Sequence, residues 1–537
     1  MSAAPPRPPV DPVAQAVQAI RTGYAMIANG RAADALEVSR RLLDAFPASV
    51  QVLVFAAEAS LANGDPHAAL AHLDAALQAS NGDSALKIKK AELLQQMRQR
   101  RAAIALVAEA AAELPGDGRA SWRAGAITNS CNDPRAAIAH YERARSLLGD
   151  PPPLLYDLAV AQFFSGEFDD AERNLDRMLA ADPQAGHALY LRSTLRRQTP
   201  DRNHVADLEQ RLAAGFERPA AEAAARYALA KELEDLGEHE RSFAELSKAA
   251  STLRATFQYD LASELQAMDD ICRAYTPEVM ADAADGDEGA DAIFIVGMPR
   301  TGTTLAERML ARTGHVAAAG ELLDFGNLLG LMTGRVDPAA GANPAERSLH
   351  VDFASLGREY LRGARDTAGP CRMFIDKMPI NFLYLGAIRK ALPKARIVHL
   401  SRDPLDTCYA VYKTLFFSAY KFSYDQSELA DYYAGYRRMM RHWHEVMPGQ
   451  ILDIRYEDLV RNPEAESRRL LEWCGLEWHP GVLEAGGADA AVATASAAQV
   501  REPVHSRSIH SSRRHLDGLA PLRERLALAG LDPVGAN

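Results

Sequence analysis

The residues best equipped for chemistry lie in the second half of this chain, and the densest group is IFIVGMPRTGTTLAERML, Ile293 to Leu310. Four apolar, strand-like residues run into a turn holding two glycines and a proline, and an amphipathic helical pattern follows. Strand, glycine turn and helix in that order leave the first N–H groups of the helix unpaired and aimed at any anion in the turn. Gly297 and Gly302 allow that anion close to the backbone. The spacing from Gly297 to Gly302, then Thr303 and Thr304, imitates the pattern G-x-x-x-x-G-K-[ST], but Thr303 stands where the lysine belongs. A nucleoside triphosphatase needs that lysine on its β- and γ-phosphates. The obvious cation here is Arg300, inside the loop, whose guanidinium grips one terminal phosphate through two N–H groups. The loop therefore suits a 5′-phosphate without a triphosphate chain; the competing reading is a strand-to-helix turn that binds nothing.

The elements around this loop are short β-runs, AIFIVG, RMFID, ARIVHLS and ILDIRYEDL, separated by helical stretches. That alternation predicts a mainly parallel sheet with helices on both faces and ligands at the carboxyl ends of its strands. Polar residues gather in four segments there: PRTGTTL (Pro299 to Leu305), GELLDF (Gly320 to Phe325), DKMPINF (Asp376 to Phe382) and SRDPLDTCYAVY (Ser401 to Tyr412).

A chain of 537 residues exceeds the usual single core, and 48% hydrophobic content supports real ones. The net charge of −11 supplies no basic footprint, which argues against nucleic-acid partners and leaves any anion site local. Five cysteines, far apart and without C-x-x-C spacing, predict neither a disulfide framework nor a zinc site and fit a reducing cytoplasm. No apolar run of spanning length is present, so a soluble protein without membrane insertion is expected.

The first half counts in units of 34 residues: Gly30, Gly64, Arg98, Asn132 and Gly166 fall at equivalent points, followed in register by Ala35, Ala69, Ala103, Ala137 and Ala171. Pro47, Pro115 and Pro183, with Asn81 and Gly149 between them, mark where one helical hairpin ends and the next begins. Apolar residues follow a 3.6-type period, as at Leu154, Leu158 and Ala159, so the aromatic content is packing. This resembles the tetratricopeptide repeat family, two antiparallel helices per unit. The fold expected is an all-α repeat solenoid followed by an α/β domain. Its parts are a disordered tail at 1–13, repeats at 14–256 (clear over 14–186, degenerate over 187–256), a capping helix and linker at 257–290, the α/β domain at 291–530 and a tail at 531–537.

From its motifs taken together, the second half resembles the sulfotransferase family, and within it the tyrosylprotein-sulfotransferase branch and its bacterial relatives with repeats. PRTGTTL is similar to the family's 5′-phosphosulfate loop and VHLSRDPLD to its segment for the 3′-phosphate of 3′-phosphoadenosine-5′-phosphosulfate (PAPS); DIRYEDLVRNPE and TASAAQVREPV extend the match. The resemblance implies Arg300, Thr301, Gly302, Thr303 and Thr304 around the 5′-phosphosulfate, Glu321 as general base, and Lys377 and Ser496 supporting charge on the sulfonate and leaving phosphate. It implies Arg402 on the 3′-phosphate and Tyr456 against the nucleotide. PAPS is then the sulfonate donor and adenosine 3′,5′-bisphosphate (PAP) the product, with no metal required. His315 is a rival base, read here as structural.

Two departures stand out. Ala410 occupies a position where the family has a serine, leaving Thr407 or Cys408 as substitutes, and Ser511-Ser512 stand where relatives carry a cation and tryptophan, which Arg513 or Arg514 would have to replace. The expected activity is transfer of sulfonate to a hydroxyl of a protein, peptide or small molecule, with the repeat groove recruiting a protein or peptide. The alternative is a nucleotide-binding interaction scaffold with a catalytically weak domain.

Overall fold

The computed structural model describes residues 11–113, 116–281, 288–484 and 506–531. The chain packs as two compact units, Met1–Gly149 and Asp150–Asn537. In the first, helical hairpins pair Pro12–Ala28 with Ala32–Ala45, Val50–Ala62 with Pro66–Ala79, Ser84–Gln96 with Arg100–Glu113, and Gly118–Ser130 with Pro134–Leu148. The turn position that recurs every 34 residues is where the backbone becomes left-handed, with φ of 74° at Gly30, 82° at Gly64, 61° at Arg98 and 64° at Asn132. Glycine takes this conformation freely, asparagine tolerates it, and arginine adopts it at a cost met by the surrounding hairpin. Five residues on, Ala35, Ala69, Ala103 and Ala137 are at most 1% exposed, because the paired helix crosses at that point. Asp65 and Asp133 cap their helices through Ala68 N (2.9 Å) and Ala136 N (3.0 Å), with a proline in the first turn of each.

The second unit opens with the same hairpin, Pro152–Ser165 and Phe168–Ala181, turning at Gly166. The register then slips, since the stretch around the helix Val205–Ala214 adds residues before the hairpin Pro219–Asp235 and His239–Arg254, which turns at Gly237 (φ 83°). The helix Leu261–Ala274 follows; of the linker expected before residue 291, residues 282–287 lie outside the described residues. Among the described residues no helix is long and apolar enough to cross a membrane.

Five parallel strands come next: β1 (Ala292–Gly297), β2 (Val316–Ala318), β3 (Met373–Asp376), β4 (Arg396–Ser401) and β5 (Ile451–Arg455). Their order is β2-β3-β1-β4-β5. β1 is buried along its whole length. Phe294 and Val296 pack with Tyr360 and Phe382 on one face, and Ile293 and Ile295 with Val398, Leu400 and Ile454 on the other. A sheet covered on both faces calls for continuous apolar strands rather than alternation, which explains the AIFIV run.

The last repeat helices share a core with this sheet region: Tyr227, Leu246 and Leu253 belong to the same apolar cluster as Phe294, Tyr412 and Tyr424. Polar contacts reinforce it. The Tyr227 hydroxyl donates to Tyr412 O (3.2 Å), the Leu415 amide donates to the Tyr190 hydroxyl (3.1 Å), and Lys413 Nζ meets both Glu234 oxygens at 2.8 and 2.9 Å. Arg254 holds Glu428 through two parallel bonds of 2.8 and 2.7 Å. A fragment covering residues 150–537 should therefore unfold in one cooperative transition in urea, followed by circular dichroism. A fragment starting at residue 291, stripped of these partners, should aggregate or unfold at much lower denaturant; equal midpoints for the two would contradict this packing.

Candidate functional site

Each strand ends beside one residue singled out from the sequence: Arg300 after β1, Glu321 after β2, Lys377 after β3, Arg402 after β4 and Tyr456 after β5. The carboxyl edge of the sheet thus collects them, although they span more than 150 residues of chain.

The β1 loop is tight. Gly297 has φ 149°, and a Cβ there would sit 2.4 Å from Leu400 O; at Gly302, φ 95°, a Cβ would meet the Tyr456 ring at 2.6 Å. The Thr301 hydroxyl is spent inside the loop, donating to Met298 O at 2.8 Å. Arg300 holds left-handed backbone at φ 68°, a strained state for a side-chain-bearing residue that recurs at functional loops. Burial lowers the pKa of its guanidinium, a shift that Tyr190 opposes and the charge of Arg402 reinforces. The helix Thr303–Ala311 then starts without a side-chain cap, so its first N–H groups face the loop.

Between β2 and β3 the backbone is stitched on both sides of Glu321: Lys377 N donates to Gly320 O (3.0 Å) and Leu322 N to Asp376 Oδ1 (3.3 Å). Lys377 is fully buried, and its Nζ lies 2.5 Å from Glu321 Oε1 and 4.0 Å from Glu307 Oε2. Burial raises the pKa of Glu307; the Lys377 ammonium works against this and the Glu321 charge adds to it. Asp376 is fully buried as well, accepting from the Tyr360 hydroxyl (2.7 Å) and Asn381 Nδ2 (3.1 Å), and burial pushes its pKa up to about 7.

Arg402 Nη1 donates to Arg300 O (3.1 Å) and Nη2 to Ser508 O (2.6 Å), and its guanidinium lies 4.9 Å from the Tyr456 ring centre. Its Nε is buried without a hydrogen-bond partner. Asp406, four residues on, fastens the C-terminal segment by accepting from Ser512 N (3.0 Å), Ser512 Oγ (2.7 Å) and His510 N (2.6 Å). Ser512 is therefore an anchor, while Arg513 and Arg514 are exposed. Of the two substitutes for the serine missing at Ala410, Cys408 sits in the apolar core, whereas Thr407 Oγ1 is buried and unpaired. Ser496, with the TASAAQVREPV segment at 494–504, lies outside the described residues.

A cavity of about 1080 Å³ opens from Arg300, Thr303, Thr304 and Glu321 toward Tyr384, Phe422 and Tyr432. His315 is exposed and not part of its wall. Among the described residues one group, His399, His444 and Asp453, has the spacing to hold a cation; it ties β4 to β5 and lines no part of the cavity. An arginine beside an uncapped helix can hold an anion, and a carboxylate touching a buried ammonium can take a proton next to developing negative charge.

Sequence reasoning missed Glu307 and Tyr190, took Asp406 only as a possible partner of Arg402, from which it lies 4.0 Å away, and gave Asp376 no role of its own. Only Asp376 carried a local signal, a carboxylate closing an apolar strand directly before Lys377. The raised pKa means that the folded state binds a proton more tightly than the unfolded chain between pH about 4 and about 7. The Asp376 contribution to stability should thus fall as pH rises through that window. Asp376→Asn should flatten this part of the stability curve, measured by urea unfolding at a series of pH values; an unchanged slope would refute the assignment.

Residues 292–480 match the sulfotransferase family, and residues 60–126 and 132–195 match the tetratricopeptide repeat. An uncharacterised protein of Aquifex aeolicus is 32% identical over 314 residues, covering 57% of this chain and 41% of that protein, so the chain spans about two fifths of its length. Protein-tyrosine sulfotransferase 1 of Danio rerio is 24% identical over 272 residues, covering 45% of this chain and 72% of that protein. Protein-tyrosine sulfotransferase 2 of Gallus gallus is 21% identical over 263 residues, covering 45% and 69%. The chain carries a tetratricopeptide-repeat region followed by a domain of the sulfotransferase family.

Proposed function

We propose that the second unit transfers a sulfonate group from PAPS to a hydroxyl of a peptide or small-molecule acceptor, and that the repeats of the first unit recruit the acceptor or a partner protein. The observation that carries this reading is the 2.5 Å contact between the fully buried Lys377 Nζ and Oε1 of Glu321, a residue in the wall of a cavity that begins at the Arg300 loop. It supplies a proton acceptor and a cation side by side where an anion would be held.

Three features support the fit to PAPS. Positive φ at Gly297 and Gly302 folds the loop tightly against Leu400 O and the Tyr456 ring, where a Cβ would clash; the helix Thr303–Ala311 that follows is uncapped; and Arg402 Nε and Thr407 Oγ1 are buried and unpaired in the segment expected to meet the 3′-phosphate. When bound, PAPS supplies the sulfonate and departs as PAP. Glu321 takes the proton of the acceptor hydroxyl as its oxygen attacks sulfur. Lys377, held out of solvent, donates to the charge that gathers on the 5′-phosphate oxygen, and Arg300 with the helix N-terminus holds the same group. Arg402, stacked on Tyr456 and fixed by two carbonyls, grips the 3′-phosphate through its remaining N–H groups.

Two outcomes are expected. In calorimetric titration PAP should bind at least tenfold more tightly than ADP or ATP, a difference of about 1.4 kcal/mol, and Arg402→Ala should erase most of it; equal affinities in the wild type would remove the reading. Glu321→Ala should leave PAP affinity nearly intact while lowering kcat about 10²-fold or more with radiolabelled PAPS. His315→Ala should leave kcat unchanged, and a reversal of the two phenotypes would assign the base to the histidine.

A further inference from the structure

We infer that the acceptor is a lipophilic, uncharged small-molecule alcohol rather than an acidic peptide, an inference that rests on Glu321 being the reacting end of the cavity. The space of about 1080 Å³, shared with the donor only at its Arg300, Thr303 and Thr304 end, is far larger than one side chain and lies at the upper end of small-molecule sites.

Between Arg300 and Glu321 at one end and the charged groups Asp260, Glu264 and Lys421 at the other, its wall is mainly apolar and aromatic. The helix Leu261–Ala274 turns one face to it, Glu264, Ala267, Met268 and Ile271, spaced i, i+3, i+4 and i+7, and Ile380 and Leu383 face the same space. Phe422 and Tyr432 stack with ring centres 3.6 Å apart and close another side. Methionine and aromatic surface of this kind adapts to apolar bodies of varied outline. An extended peptide would bring an N–H and a C=O per residue against these side chains. Each group left unpaired there costs free energy, whereas an alcohol with a hydrocarbon body has one polar group to satisfy, at Glu321.

The charges agree. The far end holds Asp260, Glu264 and Lys421. Lys421 faces Glu264, and its ammonium rests 5.5 Å from the Phe257 ring centre, while Asp260 caps its own helix through Ser263 N (3.1 Å) and Oγ (2.6 Å). Two carboxylates against one engaged ammonium repel acidic residues flanking a tyrosine. The rim is also built in advance. Phe417 and Tyr420 both hold left-handed backbone, φ 54° and 49°, fixed by Leu415 N on Tyr190 and Phe416 N on Tyr424 (3.0 Å). A loop fixed in this conformation by hydrogen bonds suits a preformed pocket.

The test uses the full chain. Nile red is bound in the cavity and displaced by 1-dodecanol or 2-naphthol; radiolabelled PAPS is then offered with each alcohol and with a tyrosine peptide flanked by aspartates and glutamates. The expected result is displacement by the alcohols and a kcat/KM for at least one of them ten times or more that of the peptide. Ala267→Trp, which fills the cavity from an exposed position, should weaken dodecanol at least tenfold and leave PAP affinity within twofold. The inference is overturned if neither alcohol displaces the dye, if Ala267→Trp leaves displacement unchanged, if the peptide is labelled as fast as the alcohols, or if both alcohols bind beside PAP without being labelled. Failure of PAP to bind while dodecanol still displaces the dye would instead sink the sulfonate-transfer reading and leave the preference of the cavity standing.

Discussion

The site depends on burying one ammonium. Lys377 has no solvent exposure, and a charge without water must find counter-charges and hydrogen bonds in the protein. It finds them in Glu321 and Glu307, which arrive from the end of β2 and from the helix after β1. Pairing at Lys377 therefore pins three neighbouring elements at the carboxyl edge of the sheet, in the register that puts the loop cation and the carboxylate on one cavity. Each carboxylate offsets part of the cost of burying that charge, so the geometry resists drift.

Asp376 extends the same logic one residue back. Its carboxyl takes the Leu322 amide, the Tyr360 hydroxyl and the Asn381 amide, so the turn that presents Glu321 is held from below by a fully buried group. On the other side of β1, Arg402 and Asp406 do comparable work with the segment from Ser508 to Ser512, and Tyr456 closes over Gly302. The two halves of the edge, one built on a lysine and one on an arginine, meet at the Arg300 loop through the bond from Arg402 to Arg300 O.

The repeats have two roles in this chain. Those of the first unit form hairpins whose left-handed turns and buried alanines follow the 34-residue count. The later ones, from Gly186 to Arg254, pack as part of the second unit, where Tyr190, Glu234 and Tyr227 hold the chain from Tyr412 to Leu415 that leads to the cavity rim. Loss of strict repeat register there accompanies a change of duty, from pairing with the next repeat to bracing a sheet domain.

Sequence alone determined what is local or periodic. The hairpins were legible because helix faces and 34-residue turns repeat along the chain. Four strands were legible as apolar runs, and Arg300, Glu321, Lys377, Arg402 and Tyr456 because each follows such a run or a recognisable motif. β2 was not, since three residues, VAA, carry no pattern and form a strand only because β3 offers its edge. Tertiary structure decided everything that rests on pairing across long separations: Glu307 and Asp376 as buried carboxylates, Ser512 as a donor to Asp406, Thr407 rather than Cys408 as the unpaired polar atom, and repeat helices fused to the sheet. The physical reason is that burial and partner choice are properties of the folded packing, whereas a turn's handedness or a strand's hydrophobicity is set by a few neighbouring residues.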